Sequence, residues 1–231
     1  MKKRDAIIQI SKGVKVYDKL LNNQSLLIIF GSLNSPYYIE IHFKDVNFLH
    51  LTGVVLKKNN CPSAKEFYNR AINNKLSETD FDIKDCNTLN KLSVLSKVLS
   101  ITQNATMIGD YRENHINLYS EKIAGSVNAC LGFVLDNNSS FYVPNTVLKE
   151  DIRKVTITTY RIFAVLSKKI NDNCYSKVLK IGKNVNIEQL IDRFEQLYSE
   201  VSICNDSIKT LYNTTDNEET APIILPITGR K

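Results

Sequence analysis

The chain has 231 residues, 43% of them hydrophobic, with 11 Tyr and 9 Phe, enough to bury a real core in one large domain. Eight Gly and five Pro exclude low-complexity linkers, and no apolar run approaches the ~20 residues a membrane span requires. The net charge of +6 excludes neither solubility nor a polyanionic partner, so its distribution matters more than its size.

Ile7, Ile10, Val14, Tyr17 and Leu21 recur at steps of three and four and predict an amphipathic helix. Leu26–Phe30 and Tyr37–Phe43 read as strands of a hairpin, joined by the turn residues Gly31, Asn34, Ser35 and Pro36. In the second strand His42 points opposite to Ile41 and Phe43, onto the polar face. Ser63 and Glu66 stand at capping-box spacing and start a helix bearing Phe67 and Ala71. Leu89, Leu92, Leu95 and Leu99 mark another from about Thr88 to Ile101.

From Thr106 the pattern turns to strands. Ile116–Tyr119 is short, and Ala129–Leu135 and Ser140–Val143 flank the turn Asp136-Asn137-Asn138-Ser139. Thr156–Leu166 is the longest strand, with Tyr175–Gly182 as its neighbour across Asn171–Asn173. Asn186 caps a last helix, Gln189 completes the box, and Ile187, Leu190, Ile191, Phe194 and Leu197 form its stripe. Without βα alternation the class is α+β: an antiparallel sheet, N-terminal helices, a central helical insertion and a C-terminal amphipathic helix packed on the sheet. Residues 1–212 form a single domain, and the polar tail Asn213–Lys231 is expected to be disordered.

Five scattered cysteines, with no CxxC and no His at ligand spacing, suit a reducing cytoplasm better than a disulfide scaffold. They recommend no metal, and no cofactor motif is present. Met1–Arg4 is basic, but Ser11, Lys12 and Lys15 break the adjoining apolar stretch too soon for a signal peptide, so a cytoplasmic protein is expected. Between Phe141 and Lys183 nine basic residues face three acidic ones, so the whole charge excess lies in about one fifth of the chain. Clustered cations suit RNA or DNA through phosphate neutralisation; a solvated lysine-rich face is the plainer reading.

His50 is the one histidine inside an apolar run, Asn47-Phe48-Leu49-His50-Leu51-Thr52-Gly53-Val54. It is either a hydrogen-bonded core residue or a placed proton carrier, since imidazole titrates near neutrality. An imidazole with a basic, hydroxyl-rich region could serve metal-free RNA cleavage. There the 2′-OH attacks the adjacent phosphate and Lys or Arg stabilises the phosphorane. Lys149, Arg153 and Tyr160 are the catalytic candidates beside His50, with Lys154, Arg161, Lys168, Lys169 and Lys177 as nucleic-acid contacts. Against this, Arg153 and Lys149 pair equally well with Asp151 and Glu150 on a one-turn helix.

Phe48–Gly53, Ser63–Tyr68, Tyr142–Thr146, Leu148–Lys154 and Tyr160-Arg161-Ile162 together resemble a known family. It is that of the phage-encoded Barnase–EndoU–colicin–RelE-like nuclease domains of low-GC Gram-positive mobile elements, and the resemblance spans Leu26 to Gly182. It implies an α+β fold and a metal-independent RNase, acting as a toxin or phage-conflict effector. His50 would match the embedded family histidine, and Lys149, Asp151 and Arg153 the basic block. RNA is the expected partner, with an antitoxin or host defence protein as a further one and no membrane. The competing reading is a non-catalytic anti-defence or regulatory protein. Such a protein would bind nucleic acid, a host protein or a nucleotide signal through the basic face.

Overall fold

A computed structural model describes residues 2–112 and 120–204, apart from the side chains of Thr102 and Gln103. His115, the short strand expected at Ile116–Tyr119 and the tail from Asn213 lie outside the described residues. The elements follow the order α1 (Lys3–Leu20), β1 (Gln24–Gly31), β2 (Pro36–Phe43), a 3₁₀ turn (Asp45–Asn47), α2 (Phe48–Thr52) and β3 (Val55–Leu56). Next come α3 (Ala64–Ile72), β4 (Phe81–Asp82), α4 (Cys86–Val98), α5 (Ile101–Asn104) and β5 (Met107–Tyr111). The chain continues with β6 (Lys122–Gly125), β7 (Cys130–Leu135), β8 (Tyr142–Leu148) and α6 (Ile152–Val155). It ends in β9 (Thr156–Lys169), β10 (Lys177–Ile181) and α7 (Ile187–Leu197).

The α+β class holds, and the sheet has a feature that sequence periodicity could not supply. Eight strands run in the order β1-β2-β8-β7-β6-β5-β9-β10, and β1 also pairs with β9, closing the sheet into a barrel. The 14 residues of β9 make this possible, because one strand pairs with β5 near its start and with β1 and β10 further on. Where β5 meets β9 the backbones come very close. A Cβ on Gly109 would stand 2.1 Å from the Thr158 carbonyl oxygen, so only glycine fits. Among the described strands the sheet is antiparallel except at one seam, where β2 and β8 meet in parallel at Ile41 and Tyr142.

Strand alternation gives β1 two jobs. Leu26, Ile28 and Phe30 face the main core, which they share with Ile10, Val14 and Tyr17 of α1 and Leu92 and Leu95 of α4. Leu27 and Ile29 face outward into a second core, covered by Ile187, Leu190, Ile191 and Phe194 of α7. Burying each such side chain contributes roughly 1.5–3 kcal/mol, so α7 is fixed on the barrel's outer wall. Its start is as the sequence foretells, with the Asn186 side chain accepting from the Gln189 amide. A third small cluster, with Tyr111, Cys130, Leu148 and Ile152, lies beneath α6.

The cysteine expectation needs one correction. Cys174 and Cys204 form a disulfide across a sequence separation of 30. A parallel bridge between Tyr175 and Ile203 brings the two segments together, a long-range contact with no signature in cysteine spacing. Cys61, Cys86 and Cys130 are free thiols. No described helix is long and apolar enough to cross a membrane.

Candidate active site

The five residues of α2 decide between the two readings of His50. Helical turning sends Phe48, Leu51 and Thr52 inward and leaves the His50 ring exposed to solvent. Gly53 ends the helix in the left-handed conformation, at φ 71°. His50 is therefore not a core histidine.

Gly53 also forms part of a cavity of about 280 Å³, with Lys84, Asp85, Thr88 and Lys91 at the start of α4 and Lys149 at the end of β8. Asp85 caps α4 by accepting from the Thr88 amide at 2.9 Å, and that hydrogen bond chiefly holds its carboxyl below the usual range. The Thr88 hydroxyl lies 3.1 Å from both the Gly53 carbonyl and the Asp85 carboxylate, and can donate to one at a time. This contact ties the end of α2 to the start of α4. Lys91 lies directly against Gly53, where an added Cβ would meet its Cδ at 3.0 Å. Burial pulls the Lys91 ammonium below its usual value, with Asp85 opposing, and among the described residues it has no ion-pair partner. A second cavity of about 650 Å³ shares Lys149 and adds Lys97, Asn104, Ser126 and Asn128.

The remaining candidates fall in three other places. Arg153 sits on the one-turn α6, its guanidinium forked onto Asp151 with Nη2–Oδ2 at 2.6 Å, as the ion-pair reading expects. Lys154 is exposed on the same turn. Tyr160 is half-buried beside the rings of Phe30 and Tyr37 and lines a separate cleft of about 520 Å³ with Arg161. Arg161 also lies over the Phe163 ring. At the far end of β9, Lys168 covers the Tyr175 ring at 4.6 Å, while Lys169 and Lys177 are exposed. The structure thus groups the end of α2 with Lys149, and Tyr160 with Arg161. It does not join Arg153 to either group by any described hydrogen bond or ion pair.

His42 faces away from the core residues Ile41 and Phe43, as expected, but is half-buried and stacked on Phe141 with centroids 3.8 Å apart. Burial, then Lys44 and Lys168, push its pKa below 6.5. Sequence reasoning missed Lys84, Lys91 and Lys97. Lys91 reads as an ordinary helix-surface lysine, and only the fold shows that Gly53 covers its stem. Among the described residues, no three His, Cys, Asp or Glu side chains gather as a metal-ligating group.

Fold and groove define an α+β barrel protein with a cleft of lysines and carboxylates at the C-terminal end of a short histidine-bearing helix. The chain belongs to the phage-Barnase-EndoU-ColicinE5/D-RelE like nuclease 4 family, whose model matches residues 9–184. That membership suggests a nuclease. Comparison with curated proteins and with solved structures finds no significant match.

Proposed function

We propose that the chain is a metal-independent endoribonuclease acting in the groove between α2, α4 and the end of β8. One observation carries this reading: His50 stands three residues before Gly53, and Lys91 lies against Gly53. His50 itself does not line the cavity that holds Lys91 and Lys149; its exposed imidazole reaches a bound strand from the short helix that Gly53, which does line it, terminates. In this reading His50 takes the proton of a ribose 2′-OH as its oxygen bonds to phosphorus. Lys149 and Lys91 stabilise the phosphorane charge. As the bond from phosphorus to the 5′-oxygen breaks, Lys91, its acidity raised by burial, returns a proton to that oxygen. Arg153, held by Asp151, and Tyr160, in its own cleft, stay outside the proton path. The corresponding cellular role is that of a toxin or phage-conflict effector, restrained by an antitoxin.

The test is cleavage of total RNA in EDTA by the wild type and by His50→Ala, Lys91→Ala, Lys149→Ala and His42→Ala. Loss of a general base costs about 10²–10⁴-fold in rate, so His50→Ala is expected to lose cleavage while His42→Ala retains it. Equal cleavage by wild type and His50→Ala removes His50 from the mechanism. Salt-sensitive RNA binding with no cleavage by any variant or the wild type supports a non-catalytic binder instead.

A further inference from the structure

We infer that the groove is one end of a track for an extended single strand of RNA, which continues past Lys97 into the cleft of Tyr160, Arg161, Lys180 and Lys183. This rests on the nuclease reading and adds the form of the substrate. The first two cavities share a lining residue, and the third, which shares none with them, adjoins the second through neighbouring residues of the chain. Lys149 lines both the cavity that holds Lys91 and the one that holds Lys97. Ala105 lines the second of these and Thr106, the next residue, lines the Tyr160 cleft. Lys180 marks the junction, its Nζ donating to the Ala105 carbonyl at 2.6 Å.

Asp85 and Glu150 stand among the lysines of the groove, and beyond it the charge is one-sided. Among the described residues no Asp or Glu lines either the cavity with Lys97 and Lys149 or the cleft with Arg161, Lys180 and Lys183. A run of cations without carboxylates matches a ligand with repeated phosphates better than a single small anion, which one cavity would satisfy. The cleft also offers aromatic surface. Tyr160 lies 6.2 Å from Tyr37, which is 51% exposed, and a base can stack on such rings only when it is unpaired. Cations spaced along a groove with stacking rings at one end are the features that hold single strands without strong sequence preference.

The test uses the full chain carrying His50→Ala, so that bound RNA stays intact, and reads fluorescence anisotropy of labelled oligoribonucleotides of about 3, 6 and 12 nucleotides, within the site sizes single-strand grooves span. The longest strand is expected to bind at least about tenfold tighter than the shortest. Adding Arg161→Ala and Lys183→Ala should abolish that gain while leaving the shortest strand unaffected. The salt slope of the longest strand should also fall by about 1.4, at ~0.7 per lost single-strand phosphate contact. Affinity independent of length, equal weakening of short and long strands, or equal binding of an RNA duplex each overturns the track. If wild-type protein cleaves no RNA yet length-dependent binding persists, the nuclease reading falls and the track stands. If His50→Ala abolishes cleavage but length has no effect, the reverse holds.

Discussion

Gly53 links backbone strain to the groove, and replacing it separates the two. At φ 71° an L-residue costs roughly 1–2 kcal/mol. Alanine also has fewer unfolded conformations than glycine, which offsets about 0.4–1 kcal/mol of that. The net expectation for Gly53→Ala is a loss of about 1 kcal/mol, or about 2–4 °C in Tm for a domain of this size. The new Cβ would also lie 3.0 Å from the Lys91 Cδ, so the lysine stem must give way by several tenths of an ångström. Gly53→Asn provides the control, because asparagine tolerates the left-handed region but carries the same Cβ. Both variants should cleave RNA more slowly, and only the alanine variant should lose the full stability. Urea and thermal denaturation by circular dichroism, alongside cleavage rates, read both effects. A Gly53→Ala protein that melts with the wild type refutes the strain argument. An asparagine variant that cleaves at the wild-type rate shows that the Lys91 position does not matter.

Gly109→Ala should cost about 3 kcal/mol in urea unfolding, because its Cβ meets backbone at Thr158 that cannot swing aside as a side chain can. A near-neutral effect would mean that β5 and β9 are not so closely apposed. Removing the Cys174–Cys204 disulfide by Cys174→Ser should lower stability by about 3–4 kcal/mol, the loop-closure value for a separation of 30. Calorimetry of the oxidised and reduced protein checks it. Because His42 is held below 6.5 in the folded state, the unfolded chain binds more protons on acidification. Its stabilising contribution is complete above that value and is lost as the pH falls through the lowered pKa. Melting temperatures from about pH 8 to about pH 5 should fall less steeply in His42→Gln than in the wild type.

Local pattern was enough for α1, for the β1–β2 and β7–β8 hairpins, and for α7, because each rests on neighbours within a few residues of one another. Barrel closure was not legible, since pairing of Leu26 with Ser167 joins positions far apart in the chain and leaves no periodic trace. His50 shows a subtler limit. Apolar neighbours on both sides invite a buried reading, but on a short helix adjacent residues face different directions, so Leu51 can be buried while His50 is exposed. The family resemblance pointed to Lys149 through the basic block around Arg153, whereas Lys91 gains its setting only from tertiary contact with Gly53. Charge clustering located cations without separating their roles. The nine basic residues from Phe141 onward are divided among the groove, α6, the Tyr160 cleft and the far end of β9.

The outer wall of the barrel has a consequence for how far the family core can stand alone. The matched region stops at residue 184, three residues before α7 begins. Cutting the chain there would strip the cover from Leu27, Ile29, Phe163 and Leu166 and leave a contiguous greasy sheet face in water. Such a surface favours self-association over solubility. In this protein the portable unit is therefore larger than the homologous one: the helix beyond the family boundary belongs to the smallest piece that can be moved into another polypeptide with that sheet face still covered.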